Sequence, residues 1–346
     1  MDKRIALVLG SGGARGYAHI GVIDEVVARG YEIVAISGCS MGALIGGVYA
    51  AGQLDGYRDW VCKLDYFDVL KLVDVTWSPM GAMRANRVMN KLESLVGDTL
   101  IEDLPIRVTT VATDLNRQRE VWFQSGPLLR AIRASIAVPG IITPVKMGDQ
   151  ILVDGGLMNP LPIIPTVSAQ ADLILAVNAT AQTHKTVTLE ELLPPAEAAE
   201  EQAREAKLEA QGKGFSGWLG GVRGRAQQMF SGFGGAEDDD DSDDEDIKRR
   251  NATERAWSRL DIMLASFEIT QGALAKYKIA GYPPDILVDI PKTVCGAYEF
   301  HRAEALIRLG RHLASQALDR YEGRENVAPG GGQVMISEPA VGKPAN

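Results

Sequence analysis

The chain has 346 residues, 46 % of them apolar and 23 % charged, the composition of an ordinary globular protein. Its 45 acidic against 36 basic side chains give a net charge of -9, but nine of the acids form one run, Glu237 to Asp246, and without them the balance is 36 against 36. That excludes a general nucleic-acid binder, which carries a net basic face. Three cysteines, Cys39, Cys62 and Cys295, are too few and too scattered for a disulfide framework or a zinc site.

In chain order, Arg4 to Gly10 is an apolar run closed by glycine, the pattern of a strand buried on both faces of a parallel sheet. Only five consecutive apolar residues, Ile5 to Leu9, precede the glycines, too short for the core of a signal peptide. Tyr17 to Arg29 has helical spacing and stops at Gly30. Glu32 to Ser37 reads as a second strand and Met41 to Ala51 as a second helix, which predicts an α/β fold with a mostly parallel sheet. Further strands are expected at Arg107 to Ala112, Ile151 to Val153, Leu173 to Val177 and Ile286 to Ile290. Helical periodicity returns from Arg250 to Ala280 and from Tyr298 to Tyr321. Between Lys185 and Arg250 the pattern breaks: Leu189 to Gln211 is rich in Glu and Ala and reads as a solvated helix, a glycine-rich stretch with scattered aromatics follows, then the acidic run. Such a composition buries too little to order itself and reads as a largely disordered insertion. The expected plan is one domain over 1–325, with a motif-bearing core at 4–180 and C-terminal helices and strand at 250–325, the insertion at 185–250 and a disordered tail at 326–346. No apolar stretch approaches the roughly 20 residues a membrane span needs, so the expected place is the cytoplasm, with contact to the inner membrane face at most.

Two motifs carry chemistry. Gly38-Cys39-Ser40-Met41-Gly42 is a G-x-S-x-G between the second strand and its helix, a sharp turn that holds a serine hydroxyl clear of the backbone. Gly10-Ser11-Gly12-Gly13-Ala14-Arg15-Gly16 follows the first strand, where outward-pointing amides can hold either a pyrophosphate or a developing oxyanion. The dinucleotide reading wants an acid at the end of the second strand, and Ser37-Gly38-Cys39-Ser40 stands there instead. A serine nucleophile needs a base. None of His19, His184, His301 and His312 lies in a turn that aims it at Ser40. Asp154, in Leu152-Val153-Asp154-Gly155-Gly156, is better placed, because it ends an apolar strand where groups converge on the crevice of an open sheet. A buried carboxylate whose pKa has risen can take the serine proton.

With these residues in order, the chain resembles the patatin-like phospholipase family, in particular bacterial members similar to neuropathy target esterase. The matching blocks are SGGARG (Ser11 to Gly16), GCSMG (Gly38 to Gly42), ASIAVPGIITPV (Ala134 to Val145) and DGG (Asp154 to Gly156), within roughly the first 180 residues. The resemblance implies a three-layer α/β/α hydrolase fold and hydrolysis of acyl esters in phospholipids or lysophospholipids without metal or cofactor. It implies a dyad of Ser40 as nucleophile and Asp154 as proton acceptor. It assigns the oxyanion hole to the amides of Gly12, Gly13, Ala14 and Arg15, and the motif positions to Gly38, Gly42, Gly155 and Gly156. Two positions depart from the family pattern: Ser11 replaces a glycine, and Ile142 stands where an aromatic is often found. In the insertion, Phe215, Trp218, Leu219, Val222, Met229, Phe230 and Phe233 are interleaved with Lys213, Arg223 and Arg225. Residues 213–233 therefore read either as a stretch that dips transiently into an anionic lipid surface or as a glycine-rich linker. A catalytically silent regulator with the same fold, docking through the acidic run, is the rival reading, and no sequence feature marks an oligomeric state.

Overall fold

The continuous apolar runs Arg4–Leu9 and Leu173–Ala181 become neighbouring inner strands, because a parallel sheet covered on both sides must bury both faces. The computed structural model describes residues 4–65, 68–69, 75–78, 81–183, 185–210 and 259–323. In order these form β1 (Arg4–Leu9), α1 (Ala18–Ala28), β2 (Glu32–Cys39), α2 (Met41–Ala50), α3 (Leu54–Val61), β3 (Val75–Ser78), β4 (Gly81–Met83), α4 (Asn86–Val96), β5 (Arg107–Asp114) and β6 (Arg119–Phe123). They continue with α5 (Leu128–Ser135), β7 (Gly140–Ile142), β8 (Val145–Met147), β9 (Gln150–Asp154), β10 (Leu173–Ala181), α6 (Leu189–Leu192), α7 (Pro195–Ala210), α8 (Arg259–Gly281), β11 (Ile286–Pro291) and α9 (Ala303–Tyr321).

The main sheet runs β11-β10-β1-β2-β5-β9-β8, with β6 also on β5. From β11 to β5 every pairing is parallel, and β6, β8 and β9 join antiparallel. The fold is thus α/β with a mixed, mostly parallel sheet. Alternation along β1 shows the layers: Ile5, Leu7 and Leu9 join the core shared with α1, α2 and α9, whereas Val8 faces Leu161, Ile163 and Ala275 of α8. β10 divides the same way, Leu175 and Val177 to one side and Ala176 to the other. The six strands read from the sequence are all present; β2 and β5 run two residues further than expected, β10 four and β11 one, and β9 gains one residue at each end.

The stretch expected to leave the fold at Lys185 does not do so there. Residues 189–210 form α6 and α7, with Leu189 and Leu193 buried in the main core. Glu190 and Glu201 pair with Arg302, the latter at 3.0 Å, and Glu200 reaches Arg308 at 2.5 Å. The glutamates that read as a solvated face are therefore partners for arginines about a hundred residues away. His184, residues 213–233, the acidic run 237–246 and the tail 326–346 lie outside the described residues.

α1 and α9 cross at backbone contact. A methyl at Gly310 would stand 2.0 Å from the Ala18 carbonyl oxygen. Gly310→Ala would gain about 1 kcal/mol in helix propensity but forces the helices apart at a cost of about 3 kcal/mol. A net loss of about 2 kcal/mol is expected in urea unfolding, the opposite sign to propensity alone.

Candidate active site

β5 brings the site together. β6 pairs with Thr110 to Asp114 along one edge of β5. On the other edge, β2 pairs with Arg107 to Val111 and β9 with Ala112 to Asp114, so β2 and β9 lie end to end. Cys39 is opposite Val111 and Asp154 is opposite the next residue, Ala112. The chain of β2 turns away at Ser40, at the point where β9 delivers its carboxylate. Two residues 114 apart in sequence thus meet through the register of one strand.

Ser40 has φ 55° and ψ -122°, a left-handed conformation that non-glycine residues rarely adopt and that costs on the order of 1–3 kcal/mol. The turn is tight enough to exclude side chains beside it: a methyl at Gly42 would lie 2.0 Å from the Leu9 carbonyl oxygen, and one at Gly38 2.5 Å from that of Gly42. Gly155 backs onto the Val111 carbonyl oxygen in the same way, at 2.3 Å. Ser135 fixes the turn from α5, accepting the Ser40 N–H at 2.9 Å and donating its own hydroxyl to the Val111 carbonyl at 2.6 Å.

The Ser40 hydroxyl donates to Asp154 Oδ2 at 2.6 Å. Asp154 is fully buried and Ser40 is 5 % exposed. Asp154 Oδ1 accepts the Gly156 N–H at 2.7 Å and the Cys39 thiol at 3.8 Å, and the Asp154 N–H donates to the Ala137 carbonyl at 2.9 Å. Burial pushes the carboxyl from its ordinary 3.8 up to about 6, against the opposing pull of the Ser40, Gly156 and Cys39 hydrogen bonds, which favour the charged form. The Cys39 thiol is itself pushed well up by burial and by Asp154, so it stays a neutral donor.

The glycine loop lies against this turn, since a methyl at Gly16 would be 2.5 Å from Met41 Cβ. Several of its amides are already spent: Gly10, Ser11 and Ala14 donate to the carbonyls of Val177, Pro160 and Ala297 at 3.0, 2.8 and 2.8 Å. Ala14 therefore departs from its expected part in an oxyanion hole, because its N–H is given to Ala297. Gly13 takes φ 58°. Arg15 is buried and ties the loop down, donating to the carbonyls of Gly12 and Lys292 at 3.1 and 2.8 Å and to Glu268 of α8 at 2.9 Å.

The histidines stand elsewhere. His19 is buried with Nε2 2.8 Å from the Gly10 carbonyl oxygen, and burial lowers it to about 4, so it is a neutral donor bracing the loop. His301 sits 3.5 Å from Glu205, and His312 lies beside Gln316 on α9. Sequence reading missed Ser135, although it lies in the ASIAVPG block, because nothing local marks which serine of a helix end supports a distant turn. Among the described residues no group of three or more His, Cys, Asp or Glu is arranged to hold a metal ion, and no helix is long and apolar enough to cross a membrane.

Residues 7–167 match the family model described as patatin-like phospholipase. An uncharacterized NTE family protein of Mycobacterium tuberculosis is 40 % identical over 334 residues, covering 93 % of each chain. A second NTE family protein of that species is 36 % identical over 165 residues, 46 % of this chain and 27 % of its own. Neuropathy target esterase sws of Drosophila melanogaster is 33 % identical over 186 residues, 51 % of this chain and 13 % of its own. With the serine turn, the glycine loop and the buried aspartate held in one sheet, and a relative matched over nearly its full length, the chain belongs to the NTE family of patatin-like phospholipases.

Proposed function

We propose that this chain is a serine acyl hydrolase that cleaves acyl esters of phospholipids or lysophospholipids through a Ser40–Asp154 dyad. The observation that carries the reading is the 2.6 Å hydrogen bond from Ser40 to a fully buried Asp154 whose pKa has risen to about 6. The family's description and the esterase name of its relatives support lipid acyl esters as the substrate class.

Asp154 takes the hydroxyl proton as Ser40 Oγ bonds to the ester carbonyl carbon, and the carbonyl π electrons move onto oxygen. The oxyanion is held by amides of the glycine loop, with Gly12 and Gly13 in the leading places and Arg15 keeping the loop rigid. Collapse breaks the ester C–O bond, and Asp154 returns its proton to the leaving alkoxide. Water then attacks the acyl-enzyme, giving Asp154 a proton and releasing the fatty acid as the proton passes back to Ser40. A carboxylic acid near 6 suits both directions of transfer at neutral pH better than an ordinary aspartate.

A fluorophosphonate probe tests nucleophile and reaction class together. Stoichiometric labelling of the Ser40 peptide is expected at pH 8, with the labelling rate falling as pH drops through about 6 because protonated Asp154 no longer accepts the proton. A folded wild-type protein that leaves Ser40 unlabelled overturns the proposal.

A further inference from the structure

The dyad and its glycine loop all come from the first half of the chain, yet a side chain from α8 reaches between them. Gln271 is buried at 4 % exposure. Its Nε2 donates to Ser11 Oγ, within the glycine loop, at 3.1 Å. The same nitrogen covers the Asp154 turn: a methyl at Gly156 would lie 2.1 Å from it and 3.1 Å from Asp154 Oδ1. Gly156 leaves room for that amide, and its N–H is the one that donates to Asp154 Oδ1 at 2.7 Å. Three residues earlier on α8, Glu268 holds Arg15 of the same loop at 2.9 Å. Ser11, one of the two departures from the family pattern, is thus not a loose substitution but the acceptor for a residue 260 positions away.

We propose that Gln271 is a positioning residue for the hydrolytic reaction, an amide from α8 wedged between the glycine loop and the Asp154 turn that fixes the spacing between oxyanion donors and base. This rests on the proposed function above. Its effect on the base runs through Gly156. When the wedge is removed the Gly156 N–H is free to move off Asp154 Oδ1, and a weaker hydrogen bond to the charged form raises the carboxyl further. Among the described residues, the other titratable groups facing that carboxyl are Cys39 from β2 and Tyr298 following β11, both pushed up by burial, so neither titrates in the acid range. Arg15 and Glu268, which also face Tyr298, are paired with each other.

Gln271→Ala is expected to lower kcat on a chromogenic acyl ester by about 10- to 100-fold, since a displacement near 1 Å costs that much, with KM nearly unchanged and the acid midpoint of the pH–rate profile moved above its wild-type position. Gln271→Met, which keeps the bulk against Gly156 but not the donated hydrogen bond, is expected to restore the pH midpoint and only part of kcat. Ser11→Gly is expected to lower kcat as Gln271→Met does, and the Ser11→Gly, Gln271→Ala double variant to be no slower than Gln271→Ala. A Gln271→Ala protein that folds, is labelled by the phosphonate and keeps the wild-type kcat and midpoint overturns the proposal while leaving the dyad standing. Failure of the wild-type protein to be labelled at Ser40 removes the dyad instead.

Discussion

Ser40→Ala is expected to reduce hydrolysis of an acyl ester by about four orders of magnitude or more, with Asp154→Asn close behind. The size follows from the proposed dyad, in which the two groups act as one unit. Without the hydroxyl there is no acyl-enzyme. Without the carboxylate the hydroxyl loses its only base among the described residues, since His19 is committed to Gly10 and His301 and His312 lie on other elements. The double variant is therefore expected to be no slower than either single one, the non-additivity characteristic of a shared step. Far-ultraviolet circular dichroism unchanged from wild type separates lost chemistry from lost fold. Substantial turnover by either folded variant sinks the dyad.

The same Asp154→Asn change is expected to make the protein more stable. Burial holds Asp154 near 6 in the native state against 3.8 as its ordinary value, so between those pH values the folded chain binds more protons than the unfolded one. Stability then falls as pH rises through that window, and above it the ionised, buried carboxylate costs about 3 kcal/mol. Asparagine carries no charge and keeps an acceptor for the Gly156 N–H and a donor toward Ser40. Its advantage over wild type in urea unfolding is expected to be absent near pH 4, to grow up to pH 6 and to level off at about 1–3 kcal/mol by pH 8. His19 contributes the opposite slope, since its native value near 4 lies below the ordinary 6.5, so its contribution to stability is lost as pH falls. That term is common to both proteins and cancels in the comparison. A difference independent of pH shows that Asp154 does not titrate in this range.

Legibility followed the range over which each feature is determined. β1, β2 and β10 were readable because strands buried on both faces must be apolar throughout, and Ser40 and Asp154 because a tight turn can only be built with glycines beside it. β6 was not, since Arg119-Glu120-Val121-Trp122-Phe123 is a half-exposed edge strand with charges in it, and β7 and β8 are three residues each, too short to show a period. α6 and α7 are tied to Arg302 and Arg308 through Glu190, Glu201 and Glu200. Nothing within 185–210 announces those partners. The commitment of the Ala14 amide to Ala297, and the wedge of Gln271 beside Gly156, are likewise pairings across more than a hundred residues. In each case a distant side chain or carbonyl supplied the partner.

The glycine loop has a consequence for the order in which the molecule is completed. Its supports are Glu268, Lys292 and Ala297, which reach Arg15 and Ala14 from the far end of the chain. On the ribosome, where N-terminal parts emerge and begin to fold first, the serine turn and its aspartate are made long before the residues that hold this loop in place. The site is therefore finished only when the last strand has joined the sheet. A truncated or half-made chain carries Ser40 and Asp154 but lacks the props of its glycine loop.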